Sequence, residues 1–157
     1  MTLRIAEDAS DEKLLSDIDK FGWHMVAIEE DATGPEYIFT VGLFYTFEHP
    51  EIVIMGLPRD IMCQFLEDIV SLIRTGKKYS NLFRDTDLAS FPITFRNVNP
   101  EKYKEYLGYA TWFYKPLSAP FPVLQFVWPD KSGLFPWETD YDSRFLTRQH
   151  LLYKTDS

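Results

Sequence analysis

The chain has 157 residues and a formal net charge of −8, with 45% hydrophobic and 25% charged residues. This length and composition predict one globular domain, 1–157, with an ordered core at about 10–152, and they exclude a disordered chain. The negative charge argues against binding to nucleic acid, because a phosphate backbone is bound by basic surfaces.

The cellular location is predicted from the cysteine content and from the lack of long apolar runs. The single cysteine, Cys63, cannot form an internal disulfide, and this favours a reducing cytoplasm. The N-terminus is acidic by Asp8 and contains no apolar signal core, and no apolar run approaches the roughly 20 residues that span a bilayer. We therefore expect a cytoplasmic protein that does not contact a membrane.

The first elements are predicted from capping residues and from alternation of apolar side chains. Ser10 is suited to cap a first helix, which Gly22 would end. Strands are predicted at 23–28 and at 37–43, the second with one apolar face. Because the turn between them is too short for a crossover connection, these two strands should pair antiparallel.

A buried strand followed by an amphipathic helix is predicted in the middle of the chain. Residues 52–57 are continuously apolar, which is typical of a strand buried on both faces. Pro58 suits the first turn of a helix that Gly76 would end. The apolar stripe of this helix consists of Ile61, Met62, Phe65, Leu66, Ile69, Leu72 and Ile73.

The second half of the chain is richer in aromatic residues and prolines. A short strand is predicted at 93–98, and Asn99 can cap a brief helix that ends at Gly108. The aromatic segment 109–114 is predicted to be extended, and 123–128 to be another buried strand.

Helices and strands are thus mixed along the chain. The predicted fold class is α+β, a single domain with a mostly antiparallel sheet and two or three helices packed on it. The pattern after Trp137 is ambiguous between helix, strand and loop, and the last few residues are expected to fray.

The segment 125–138, which reads Q-F-V-W-P-D-K-S-G-L-F-P-W-E, is the most unusual in the chain. Its prolines and its glycine predict a rigid, partly buried turn that holds acids and rings at fixed positions. We expect a binding surface formed or bordered by Gln125, Trp128, Asp130, Trp137 and Glu138. Two carboxylates could divide acid and base roles, but an aspartate three residues before Gly133 is also typical of a structural turn.

His49 and Glu51 flank Pro50 just before the predicted buried strand, and they form a second candidate binding pair. Titratable groups at strand ends often form sites, although a turn of solvated polar groups explains the same pattern. The three histidines, which include His24 and His150, match no metal-ligand spacing. Motifs for phosphate-binding glycine loops and for serine hydrolysis are absent from the sequence, and we predict no metal and no cofactor.

Several of these segments together resemble a family of bacterial and phage proteins, domain of unknown function 4262. The motifs are Y-I-F-T-V-G-L at 37–43, H-P-E at 49–51, and W-P-D at 128–130 followed by F-P-W-E at 135–138. The resemblance extends over nearly the whole chain and implies a single domain, but it brings no established activity. The family pattern near the end resembles Q-P-L-L, and this chain has Q-H-L-L at 149–152, so we expect the backbone to differ there.

Two functional hypotheses are consistent with these observations. The first is a small acidic binding protein that acts by occupying a protein partner, basic in charge, as immunity or anti-defence proteins do. Its motivation is the negative charge and the 17% aromatic content, since acidic surfaces speed association with basic partners. The alternative is a small enzyme or flavin-binding protein, similar in element order to a split barrel, that uses the Trp128–Glu138 turn.

Overall fold

The computed structural model describes residues 3–117 and 120–153, so the predicted fraying of the last residues lies outside the described part. The strands are β1 (His24–Ile28), β2 (Tyr37–Val41), β3 (Glu51–Met55), β4 (Arg84–Asp85), β5 (Ile93–Asn97) and β6 (Val123–Val127). The α-helices are α1 (Ala9–Phe21), α2 (Leu43–Phe47), α3 (Arg59–Arg74), α4 (Tyr103–Tyr106) and α5 (Gly108–Tyr114). Short 3₁₀ turns lie at Pro100–Lys102 and Ser143–Thr147.

The six strands form one sheet in the order β1-β2-β3-β6-β5-β4. All neighbouring pairs are antiparallel except β3 and β6, which run parallel. The predicted α+β class and the antiparallel pairing of the first two strands are therefore confirmed. The described part contains five α-helices, more than the two or three predicted, because short helices connect several strands.

Helices cover both faces of the sheet, which separates the core into two layers. On one face, α1, α4 and α5 pack against Val26, Phe39 and Val53. On the other face, α3 packs against Ile54 and Phe126. All five positions of β2 are buried, so the prediction of a single apolar face was wrong for that strand. The reason is tertiary, because α3 covers the face that alternation alone left to solvent.

The helix predicted after Pro58 is confirmed as α3. Met62, Phe65, Leu66, Ile69 and Ile73 of the predicted stripe are buried, whereas Ile61 is 44% exposed and lies outside the buried face. In the described residues no helix is long and apolar enough to cross a membrane.

Two local predictions were wrong. The first helix is capped by Asp8, whose side chain accepts a hydrogen bond from the Asp11 backbone N–H, and Ser10 lies inside the helix. The segment predicted as extended forms α5, which buries Ala110 and Phe113. Aromatic residues favour strands in general, but their burial on one side at helical spacing outweighs that preference here.

Candidate functional site

Glu51 lies at the start of β3 and is only 1% exposed. Its carboxylate accepts five hydrogen bonds from three different parts of the fold. The donors are the Thr40 hydroxyl at 2.7 Å, the Tyr114 hydroxyl, and the backbone N–H groups of Gly42, Leu43 and Phe44 at 3.0–3.1 Å. Burial nevertheless raises the pKa of Glu51 to about 6. The side chain joins β2, the beginning of α2 and the end of α5, and it faces no solvent.

His49, the other member of the predicted pair, is also buried and is 2% exposed. Its Nδ1 lies 2.8 Å from the Pro50 carbonyl oxygen, and its Nε2 lies 2.9 Å from the Tyr79 backbone N–H. A carbonyl can only accept and an amide N–H can only donate, so the ring is neutral with its hydrogen on Nδ1. Burial also lowers the pKa of His49. Both ring nitrogens are therefore occupied within the protein.

Asp130 closes the turn after β6. Its Oδ1 accepts from the backbone N–H groups of Ser132 and Leu134, and its Oδ2 accepts from that of Asp142, each at 2.9 Å. The bond from Asp142 is the main cause of a pKa below the usual range for this carboxyl. Glu138 accepts from the Phe135 N–H at 3.1 Å. The carboxylates of Asp130 and Glu138 thus both accept from backbone N–H groups. For Asp130 this is the structural turn role that its position three residues before Gly133 predicts.

Gln125 and Trp128 hold the C-terminal segment against β6. The Gln125 amide donates to the His150 carbonyl at 2.7 Å and accepts from the Leu152 N–H at 2.9 Å. Gln149 makes the reciprocal pair, with both its oxygen and its nitrogen bound to the Trp128 backbone at 2.9–3.0 Å. The side-chain amides of Gln125 and Gln149 thus make the hydrogen bonds to backbone that a neighbouring β-strand would otherwise make. This role of Gln149 was not predicted from the sequence.

Trp137 is the one ring of the segment 125–138 that is widely exposed, at 41%. It stacks on Phe135 with ring centroids 5.2 Å apart, and the Arg96 guanidinium lies 4.7 Å from its centroid. The structure therefore divides the seven predicted site residues into two groups. Gln125, Trp128, Asp130, His49 and Glu51 are buried, and Trp137 and Glu138 are exposed. Their role in binding stays a prediction.

A groove elsewhere on the surface combines acids with aromatic rings. It consists of two adjoining depressions, of about 560 Å³ and 170 Å³, that share Ile28, Tyr37, Glu105 and Tyr106. We call it the acidic groove. Its acids are Glu7, Asp8, Asp11, Glu29, Asp31 and Glu105, and its rings are Tyr37, Phe39, Tyr106, Tyr109 and Trp112. No lysine or arginine occurs among the described residues that line it.

The floor of the acidic groove is held in place by the core. Burial raises the pKa of Tyr37 to about 12, and its protonated hydroxyl donates to the Tyr106 carbonyl at 2.8 Å. The two rings also pack against each other at 5.6 Å. At one side of the groove, the Arg4 guanidinium lies 4.9 Å from the ring centroid of Trp112. The protein itself thus places a guanidinium on a groove ring.

This groove was not predicted from the sequence, because the segment 109–114 was expected to be extended and forms a helix. Tyr109 and Trp112 are spaced by three residues, which brings side chains to one side of a helix, and Tyr106 precedes them by the same interval at the end of α4. The available signal was that spacing, together with acids in three distant segments near Asp8, Asp31 and Glu105. Only the tertiary fold brings those segments together.

Metal ligands and the single thiol are the other groups that a functional site would use. In 3–117 and 120–153, no three His, Cys, Asp or Glu side chains are grouped so that they could hold a metal ion. Burial is the main cause that raises the pKa of the Cys63 thiol, and the negative charge of Glu67 raises this pKa further.

The fold is a six-stranded α+β sheet with helices on both faces, and an acidic, aromatic groove lies on its surface. The chain belongs to the family described as domain of unknown function 4262, whose model matches residues 17–142. No curated protein and no solved structure matches it.

Proposed function

We propose that this protein binds a basic segment of a partner protein through the acidic groove, and that it acts by occupying that partner, as an immunity or anti-defence protein does. The observation that carries the proposal is the composition of the groove, which has six acids and no lysine or arginine among its described lining residues, with Arg4 at one side over the Trp112 ring. Such a surface attracts cations and accelerates their association. The net charge of −8 adds to this attraction.

The aromatic floor suits arginine in particular. A guanidinium is planar and weakly hydrated, so it stacks on aromatic rings while it pairs with carboxylates. The contact between Arg4 and Trp112 is an intramolecular example of this geometry. Tyr109 and Tyr106 are half-buried beside it and extend the same floor. We therefore expect the bound segment to contain arginine residues that enter the groove.

Isothermal titration calorimetry with a short oligoarginine peptide tests this proposal. The groove variant is Glu7→Gln with Glu105→Gln, because both carboxylates are exposed and neither forms an ion pair in the described part of the chain. The matched control is Glu67→Gln with Asp68→Asn, which removes the same charge from exposed positions on α3.

The groove variant should weaken binding about 5- to 30-fold, since two rim charges contribute about 1–2 kcal/mol. The control should change affinity much less, and raising NaCl from about 50 to about 300 mM should weaken the wild type. Equal losses in both variants would mean that only net charge matters, and the groove would not be the site. A flavin absorbance band in the purified protein would instead favour the enzyme or flavin-binding alternative.

A further inference from the structure

A second cleft has the opposite chemistry to the acidic groove. It has a volume of about 280 Å³ and is lined by Asn81, Arg96, Asn97, Val98, Asn99, Pro100 and Tyr153. None of these lining residues is acidic, although the protein carries a net charge of −8. The cleft lies beside the end of β5, where Asn81 covers the strand edge by accepting from the Asn97 N–H at 2.8 Å.

Arg96 is the charged group of this cleft. Its guanidinium lies between two rings, 4.7 Å from the centroid of Trp137 and 4.2 Å from that of Tyr153. These contacts hold the group in one orientation. No carboxylate of the described residues forms an ion pair with it, and its Nε is buried without a hydrogen-bond partner. A guanidinium that no carboxylate of the described residues pairs with is suited to bind an anion from outside the chain.

Asn81 and Asn99 add side-chain amide donors to the lining of this cleft. The Oδ1 of Asn81 is bound to the Asn97 N–H, and the Oδ1 of Asn99 accepts from the Glu101 N–H at 3.1 Å. In each amide the oxygen is therefore committed to the protein, and the NH₂ group is the part left to bind a ligand. No hydrogen bond of either NH₂ group occurs within the described part of the chain.

We propose that this cleft binds a small oxyanion, the carboxylate or phosphate group of a ligand, with Arg96 as the charged donor and the amides of Asn81 and Asn99 as neutral donors. Guanidinium groups bind both anions through parallel N–H donors, and such charge-assisted bonds are the stronger kind. Trp137, which is 41% exposed, contacts the Arg96 guanidinium from outside the residues that line the cleft. This site is independent of the acidic groove and of its proposed partner.

Titration of the protein with sodium phosphate and, separately, with sodium acetate tests the site. Both titrations are followed by ¹H–¹⁵N NMR at constant ionic strength. The side-chain NH₂ signals of Asn81 and Asn99 and the Nε–H signal of Arg96 should move along a saturating curve with at least one anion. Saturation with phosphate alone would assign a phosphoryl ligand, and saturation with acetate would assign a carboxylate. The absence of saturation with both would overturn the proposal.

Variants separate anion binding from packing. Arg96→Gln should weaken binding by about tenfold or more, because a charge-assisted bond is lost. Asn99→Asp keeps the oxygen that accepts from Glu101 but places a negative charge in the cleft, so it should abolish binding while the fold is retained. Arg84→Gln is the matched control, since Arg84 also lies over a ring, that of Phe135, but outside the cleft. Undiminished saturation in Asn99→Asp would show that the cleft does not bind anions.

Discussion

Tyr114→Phe tests the buried network around Glu51 with the loss of a single oxygen atom. The Tyr114 hydroxyl donates to the Glu51 carboxylate and accepts from the Tyr45 N–H at 3.1 Å. The variant therefore removes one bond to a buried charge and leaves one backbone donor without its acceptor. Phenylalanine retains the ring packing against Phe121 and Phe44. A lost bond of this kind costs about 1.5–3 kcal/mol and an orphaned donor about 1–3 kcal/mol, so we expect a total loss of about 2.5–6 kcal/mol.

The loss should depend on pH in a defined direction. Burial raises the pKa of Glu51 from 4.5 to about 6, and the Tyr114 bond acts against that rise. Without the hydroxyl, the pKa of Glu51 should be higher still. A raised folded-state pKa gives stability that is complete below the unfolded pKa of 4.5 and is lost as pH rises through about 6. Tyr114→Phe should therefore be more destabilising at about pH 7 than at about pH 4.5.

Urea denaturation at both pH values measures the free energies, and ¹³C NMR of the Glu51 carboxyl follows its titration. Tyr109→Phe is the matched control, because Tyr109 lies on the same helix, is half-buried, and makes no hydrogen bond through its hydroxyl in the described part of the chain. The control should change stability by less than about 0.5 kcal/mol. Equal losses in the two variants, or an unchanged titration of Glu51, would refute the proposed role of the network.

Three further substitutions test other parts of the fold. Phe65→Ala should cost about 3–5 kcal/mol in denaturant unfolding, because Phe65 is 8% exposed and packs on Phe126 at 5.0 Å; a loss below about 1 kcal/mol would contradict its place in the core. Asp130→Asn should lower the melting temperature less than Asp130→Ala, since asparagine keeps the two Oδ1 bonds and loses only the bond from Asp142; the reverse order would exclude the turn role. Gly56→Ala should release the C-terminal segment, because φ of Gly56 is +84° and a Cβ would lie 1.8 Å from the Arg148 carbonyl oxygen. Faster amide hydrogen exchange at Gln149 would show this release, and an unchanged exchange rate would contradict it.

Local sequence patterns correctly predicted the elements that are determined by residues close together in the chain. The stripe from Met62 to Ile73 is regular enough to define α3, and a short turn requires antiparallel pairing of β1 and β2. The parallel pair of β3 and β6 was not predicted, because the two strands are separated by 67 residues and local alternation carries no information on such pairing.

The candidate site was predicted less completely, for a related reason. His49 and Glu51 stand out in the sequence as titratable residues, but a residue type does not reveal whether its partners are solvent or buried donors. Here backbone N–H groups of other elements donate to both side chains, and two hydroxyls also donate to Glu51. The acidic groove combines residues from the N-terminal helix, the β1–β2 turn and α4–α5, and only the folded chain makes it visible.

The most direct test of the central proposal is to locate a bound basic peptide on the protein. Four tryptophans report on four regions through their indole N–H signals in ¹H–¹⁵N NMR, and Trp112 alone lies in the acidic groove. Titration with a short oligoarginine peptide should shift the signals of Trp112, Tyr109 and Gly108 along one saturating curve, while the Trp137 indole stays unchanged. Shifts confined to Trp137 and the turn from Trp128 to Glu138, or none that saturate, would contradict binding through the acidic groove.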